Sequence, residues 1–212
     1  MSKEYPANLE IDYPKQLDRV TTFFRLILAI PILAVLTILL STGGSSETME
    51  SARQTVASNA GGIVIGLFVA TALMIVFRQR YPRWWYDFAL ELNRFSTRVG
   101  AYLSLLTDQY PSTVEPQSVH LDAQYPDVKK DLNRWLPLVK WFLALPHYIV
   151  LVFLIIAAFI VTIIAWFAIL FTGRYPKDLF DFVVGVGRWS WRVTVYTTLL
   201  TTDEYPPFRL KR

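Results

Sequence analysis

Between Trp141 and Phe171 the chain runs for 31 residues with no charged side chain unless His147 is protonated. The hydrocarbon core of a bilayer is about 30 Å thick, and roughly 20 helical residues cross it. The run is therefore too long for one crossing and barely long enough for two. Two shorter runs precede it: Leu26 to Leu40, broken only by Pro31 and Thr37, and Gly61 to Phe77, which ends at Arg78. Reaching back to Thr21, with Arg25 snorkelling to the interface, brings the first to span length. Composition agrees, with 53% apolar, 15% aromatic and 18% charged residues, against about 25% charged in soluble proteins. That much apolar content excludes a disordered chain. The lack of cysteine excludes a disulfide scaffold and a Cys-type zinc site, and leaves the redox compartment unmarked.

Charge placement orients the runs. Of 21 basic residues only Arg53 falls between Ser41 and Gly62; residues 1–25 hold four, 78–140 nine and 172–212 seven. Placing those three segments in the cytoplasm follows the positive-inside tendency and requires two hairpins. The spans are then about 21–40 and 61–77, joined by a polar loop at 41–60, and about 134–154 and 157–172, turning near Ile155 to Ala158. Three spans, one of them long, is the alternative. A signal peptide is a competing reading of the first run, but about 20 residues with four acids precede it, unlike the usual n-region.

The chain is written twice. Arg19, Arg25 and Pro31 are matched 115 positions on by Arg134, Lys140 and Pro146. Arg80-Tyr81-Pro82 is matched by Arg174-Tyr175-Pro176, and Phe88, Arg94, Arg98, Val99 and Tyr102 by Phe182, Arg188, Arg192, Val193 and Tyr196, all at an offset of 94. Leu105-Leu106-Thr107 returns as Leu199-Leu200-Thr201. The drop in offset locates a 21-residue insertion in the Ser/Gly-rich loop of the first copy. The repeats are 1–112 and 113–212, and such self-similarity points to duplicated architecture.

Seven of the twelve prolines follow a tyrosine: Pro6, Pro14, Pro82, Pro111, Pro126, Pro176 and Pro206. Proline lacks a donor and bars its predecessor from helical geometry, so each pair reads as a boundary at the membrane surface. After each hairpin the pattern predicts an amphipathic helix in the membrane plane, at about 83–106 and 178–200. Asp87, Glu91, Arg94 and Arg98 form one polar stripe. Asp181, Arg188 and Arg192 repeat it, with Trp189 and Trp191 as interfacial anchors. The plainer reading of this stripe is packing against its counterpart, acid to Arg. Period-two alternation at Leu9, Ile11 and Tyr13, and at Val119, Leu121 and Ala123, suggests short cytoplasmic strands that pair, with Phe208 to Leu210 as a third. The fold class is an all-α membrane protein: a tandem transmembrane hairpin, each followed by an in-plane amphipathic helix.

Phosphate-cradling glycine loops, nucleophile elbows and His-Glu-x-x-His are absent from the sequence. An intramembrane ionisable residue is a functional candidate by default, which singles out His147. A two-histidine haem would need a partner from another subunit; the plainer reading is a neutral imidazole bonded to a carbonyl freed by Pro146. His120 beside Asp122 reads as solvated, and neighbours in sequence do not make a catalytic triad. No catalytic residue, metal or cofactor is expected. The candidate structural and functional set is His147, Pro146, Pro31, Arg94, Arg98, Arg188, Arg192, Asp87 and Asp181. Basic residues interleaved with acids fit lipid headgroups better than nucleic acid.

The run Leu143-Ala144-Leu145-Pro146-His147, with Phe171-Thr172-Gly173-Arg174-Tyr175-Pro176, Leu179-Phe180-Asp181-Phe182, Arg188-Trp189, Arg192 and Tyr205-Pro206-Pro207-Phe208, resembles an uncharacterised family of prokaryotic integral membrane proteins named only as a domain of unknown function. The likeness is specific over 125–210 and weaker over 13–111, where Phe77-Arg78-Gln79-Arg80 departs from Phe-Thr-Gly-Arg and Ile32 stands in the place of His147. It implies membrane location and a duplicated architecture but no activity. The expectation is a non-enzymatic protein of the plasma membrane with cytoplasmic termini. It acts as a scaffold or accessory subunit whose partners are lipids and a protein partner or second copy. The alternatives are a small transporter or lipid-handling protein and a membrane enzyme acting on lipid headgroups.

Overall fold

Successive side chains of an extended segment turn to opposite faces, and both alternating segments form strands. The computed structural model describes residues 5–40, 62–113 and 115–211, so the loop expected at 41–60 lies outside the described residues. Strand β1 (Ala7–Ile11) pairs antiparallel with β2 (Val119–Ala123), Leu9 opposite Leu121, Ala7 opposite Ala123 and Ile11 opposite Val119. Leu9, Val119 and Leu121 are buried, while His120 and Asp122 face outward. A two-stranded ribbon alone is marginal in water. Its apolar face is covered by two helices, α8 (Lys177–Thr194) against β1 and α4 (Arg83–Leu103) against β2. Gly187 makes the close approach possible, since a Cβ there would come within 3.2 Å of a Leu9 methyl. Phe208 to Leu210 adds no third strand. Leu210 lies instead against Gly185, where a Cβ would meet it at 3.0 Å.

Outside this layer lie the apolar helices α1 (Arg19–Leu28), α2 (Ile30–Leu40), α3 (Gly62–Leu73, continued by a π turn over Met74–Arg78), α6 (Lys140–Leu143) and α7 (Leu145–Thr172), with a short α5 (Val128–Asp131) before them in the second half. Asp18 starts α1 by accepting the Val20 amide at 2.9 Å, a side-chain N-cap. Pro31 and Pro146 each delete one helical hydrogen bond and so divide α1 from α2 and α6 from α7. The chain still runs on, because Ala29 and Ala144 at the joints bond back to Arg25 and Lys140 at 2.9 and 3.0 Å. Both alanines are fully buried, leaving no room for a larger side chain.

Two expectations are corrected here. The turn expected at Ile155 to Ala158 does not form: α7 is one unbroken helix of 28 residues. With neither Gly nor Pro in that stretch, nothing interrupts the helical hydrogen bonds. Nor do α4 and α8 turn their apolar faces outward. Phe180, Val184, Trp191 and Val193 of α8 are buried between the sheet on one side and α7 on the other. Trp189 and Trp191 are core residues, 6% and 5% exposed, and not interfacial anchors. The apolar surface left outside belongs to α1, α2, α6 and α7, together with Phe77, Trp84 and Phe88.

The Tyr-Pro pairs tie the two halves of the chain together. Tyr13 Oη donates to the Tyr175 carbonyl at 2.5 Å, and Tyr125 Oη donates to the Tyr81 carbonyl. The donor rings meet α8 and α4 edge-on, Tyr13 against Phe180 at 5.0 Å and Tyr125 against Tyr86 at 5.1 Å. Tyr81 and Tyr175 are buried and clasp the interior, while Tyr13, Tyr110 and Tyr205 are exposed.

The helix ends carry a testable asymmetry. α7 closes on Gly173 at φ +72°, whose amide bonds to Ile169 at 2.7 Å. After α3 the same left-handed position is held by Gln79 at φ +47°. A side chain there costs roughly 1–2 kcal/mol. Gln79→Gly is expected to raise stability by about 1 kcal/mol and Gly173→Ala to lower it comparably, as measured by unfolding in mild detergent.

Candidate functional site

Two cations, Arg25 on α1 and Lys140 on α6, point inward at the feet of the apolar helices. Arg25 is 2% exposed and does not snorkel; Lys140 is fully buried. Arg25 donates to the Thr107 carbonyl at 2.6 Å and the Tyr102 carbonyl at 3.2 Å, and pairs with Asp108. Lys140 donates to the Thr202 carbonyl at 2.7 Å and pairs with Asp203 at 2.7 Å. Each cation also sits over a tyrosine ring, Arg25 over Tyr102 at 4.2 Å and Lys140 over Tyr196 at 5.0 Å. The Tyr102 carbonyl lies in the last turn of α4, whereas those of Thr107 and Thr202 belong to the segments that follow α4 and α8.

These contacts shift the pairing of the two C-terminal segments by one residue. Thr202, not Thr201, stands opposite Thr107, and the left-handed residues are Leu105 (φ +62°) and Leu200 (φ +58°). The extra residue is absorbed by a π turn over Val195–Leu199 at the end of α8. Both leucines are buried. Burial of a leucine is worth about 1.5–3 kcal/mol, enough to offset the left-handed backbone.

His147, one residue past Pro146, is fully buried beside the Lys140 site. Its Nδ1 accepts the Trp189 indole N–H at 3.1 Å, which leaves the ring proton of a neutral imidazole on Nε2. The ring is stacked on Phe208 at 3.9 Å and flanked by Tyr205 at 4.8 Å. The partner is thus an indole and not the expected carbonyl, because Trp189 is turned inward. Ile32 holds the matching place, buried against Phe95 and Val99 beside Pro31.

The arginines of the two stripes are struts. Arg94 Nε donates to the Leu121 carbonyl at 2.8 Å, and its other nitrogens pair with Glu91 and Asp122 at 2.6 Å each. Arg188 Nε donates to the Leu9 carbonyl at 3.1 Å and its NH1 to the Leu210 carbonyl at 3.1 Å. Arg192 holds the carbonyls of Arg209 and Lys211 at 3.1 and 3.0 Å, and Arg98 holds that of Ser112. Burial lowers the pKa of Arg192, aided by Arg209 and Arg188 nearby. Burial likewise lowers that of Arg188 against the opposing pull of Asp181. Both remain cations at neutral pH, which is what carbonyl acceptors require. Acid-to-Arg packing between the stripes does not occur. Asp87 makes an exposed pair with Arg83 at 3.7 Å on its own helix, a contact worth little. Asp181 stays at the surface.

The expected set is therefore dispersed: Pro146 and His147 follow Lys140 in the chain, Pro31 follows Arg25, Arg94 and Arg188 hold the strands, Arg98 and Arg192 hold carbonyls of Ser112, Arg209 and Lys211, and Asp87 and Asp181 are exposed. Arg25, Lys140, Asp108 and Asp203 did not stand out as site residues. The available signal was a cation six residues before a proline in each half, matched by an aspartate shortly before a Tyr-Pro.

Residues 135–209 match the family described as Domain of unknown function (DUF4389). That segment holds Lys140, His147, α7, α8 and Asp203, about a third of the chain. No curated protein and no solved structure matches the chain.

Removing one partner of a buried ion pair costs about 3–5 kcal/mol because the other charge is stranded. Asp108→Asn and Asp203→Asn are each expected to lose about 3 kcal/mol of stability in detergent unfolding. Exposed Asp87→Asn should leave stability unchanged.

Proposed function

We propose that this chain is a tandemly duplicated protein seated in the cell membrane, a non-enzymatic scaffold that organises lipid or a partner protein at the cytoplasmic face. The observation that carries the reading is the apolar surface of the outer helices. Two helices, Arg19–Thr37 and Leu145–Thr172, are long and apolar enough to cross a membrane. α7 exposes Ile149, Phe153, Ile156, Phe159, Ile163 and Phe167 along its length. Water-soluble monomers rarely leave contiguous apolar patches larger than a few hundred Å², so lipid or protein must cover this one.

Duplication is supported by contacts that come in matched pairs: Arg25 with Lys140, Arg94 with Arg188, and Tyr13 with Tyr125. A scaffold fits the use made of the candidate side chains. Arg94, Arg98, Arg188 and Arg192 each donate to a main-chain carbonyl, contacts that brace the fold. A common side for both ends agrees with Tyr5 Oη donating to the Glu204 carbonyl at 3.1 Å.

Membrane fractions washed with alkaline carbonate are expected to retain the protein, and mild crosslinking before extraction to recover it with a defined partner or a second copy. Release into the aqueous wash would overturn the membrane assignment. Recovery of the washed protein only as a lone species would overturn the scaffold.

A further inference from the structure

The sequence allows α7 to cross the bilayer, but its packing does not. The buried stripe of α7 runs from His147 and Leu151 through Leu154 and Ala158 to Ala165 and Ile169. Trp189 and Val193 cover Leu151 at one end, and the cluster containing Tyr175 and Phe180 covers Ala165 and Ile169 at the other. The body of the protein thus accompanies α7 for its whole length, about 42 Å at 1.5 Å per residue. On the far side of α8 from α7 lies β1, and the ribbon's outer face carries His120 and Asp122, 54% and 74% exposed as side chains. If α7 stood along the membrane normal, this ionic face would stand at the depth of the acyl chains. Each charge placed at the bilayer centre costs at least about 2.5–3.5 kcal/mol.

We infer that α7 lies flat within a single leaflet of an anionic bilayer, with its apolar rows among the acyl chains and the α8–sheet body on the aqueous side. This rests on the membrane reading above and specifies how the membrane is held. One orientation then serves every exposed residue: Ile149, Phe159 and Phe167, at 61%, 66% and 51% exposure, face lipid together. Every backbone donor past the first turn of α7 is satisfied within the helix. Charge complementarity selects anionic lipid. Arg19 lies against Gly173 at the end of α7, next to Arg174 and Lys177. At the end of α3, Arg134 Nε donates to the Val76 carbonyl, which places it beside Arg78 and Arg80. Among the described residues none of these six forms a salt bridge. There an open groove of about 700 Å³ between the Tyr81-Pro82 and Tyr125-Pro126 turns is lined by the cations Arg80, Arg83 and Lys129 and by one acid, Asp127, a net positive setting for a phosphate-bearing headgroup. Such cations near a surface attract anionic lipid by about 1 kcal/mol each, without needing a preformed site.

The chain has no cysteine, so single-cysteine variants of the full-length protein report depth directly. Ile149→Cys, Phe159→Cys and Phe167→Cys are labelled with an environment-sensitive fluorophore and reconstituted in vesicles of phosphatidylcholine with or without phosphatidylglycerol. Quenching by lipids spin-labelled at graded depths is then measured, with circular dichroism verifying the fold of each variant. The expected result is the same shallow depth at all three positions and several-fold tighter association with the phosphatidylglycerol vesicles. A profile with Phe159 at the bilayer centre and the other two shallow would overturn the inference and leave the membrane reading standing. Equal association with both vesicles would overturn the choice of anionic lipid. Labels quenched by no lipid, in a protein that co-floats with neither vesicle, would remove the membrane reading itself; the same silence in a co-floating dimer would assign the α7 face to a second copy.

Discussion

Buried cations and unpaired carbonyls answer each other at the base of this molecule, and the arrangement of its helices depends on that exchange. A helix leaves its last carbonyls without partners and with a partial negative charge. The segments that follow α4 and the π turn after α8 also run through the interior, where water cannot supply donors to the carbonyls of buried Thr107 and Thr202. Arg25 and Lys140 supply them, and Asp108 and Asp203 balance the charge. Either half of the exchange alone would be costly: a buried cation without oxygen ligands, or a buried helix end without donors. Together they fix how the last turn of α1 and the start of α6 sit against the segments that follow α4 and α8, and so where the apolar helices lie.

A second set of ties crosses between the halves of the chain. The strand of the first half is held by Arg188 of the second through Leu9, and the strand of the second by Arg94 of the first through Leu121. Tyr13 and Tyr125 repeat the crossing at the starts of α8 and α4. Neither half can satisfy its own strand, since the ribbon has one strand from each and its apolar face is shared by both helices. Folding is therefore expected to couple the halves, despite the local contacts within each.

The elements visible in the sequence were those written by periodicity or by matched spacing. The alternation around Leu9 and Leu121 marked the strands, and the stripe from Asp87 to Arg98 marked a helix with one polar side. What the polar side faces was not written there. A stripe of arginines looks the same in sequence whether it meets headgroups or main-chain carbonyls, and here Arg98, Arg188 and Arg192 meet carbonyls. The helical moment reports that two faces differ, not which solvent each one sees. Lys140 and Arg25 escaped notice for a related reason. A lone cation at the edge of an apolar run reads as snorkelling, and its inward turn depends on Thr107, Asp108, Thr202 and Asp203, 62 to 83 residues away. The missing turn in α7 has a different origin. The matched spacing carries a break between two spans over to the second half, but there the point lies inside a run of Ile, Ala and Phe with nothing to end a helix.

The two kinds of helix have therefore exchanged the places that their composition suggests. The amphipathic pair forms the interior because its polar stripes find acceptors in the strands and the C-terminal segment. The uniformly apolar helices form the exterior because they have few polar groups to bring inward: among the described residues these are Thr22, Arg25, Thr71, Lys140 and His147. Such an inversion is stable only where the surroundings are themselves apolar, since an exposed row like that of α7 gains nothing from water. The outer face is thus apolar, and the ribbon, with Asp12 and His120 in contact at 3.2 Å on its rim, presents polar groups. Between them Arg94 and Arg188 tie the amphipathic helices to the strands, so that the body carries one oily and one ionic side.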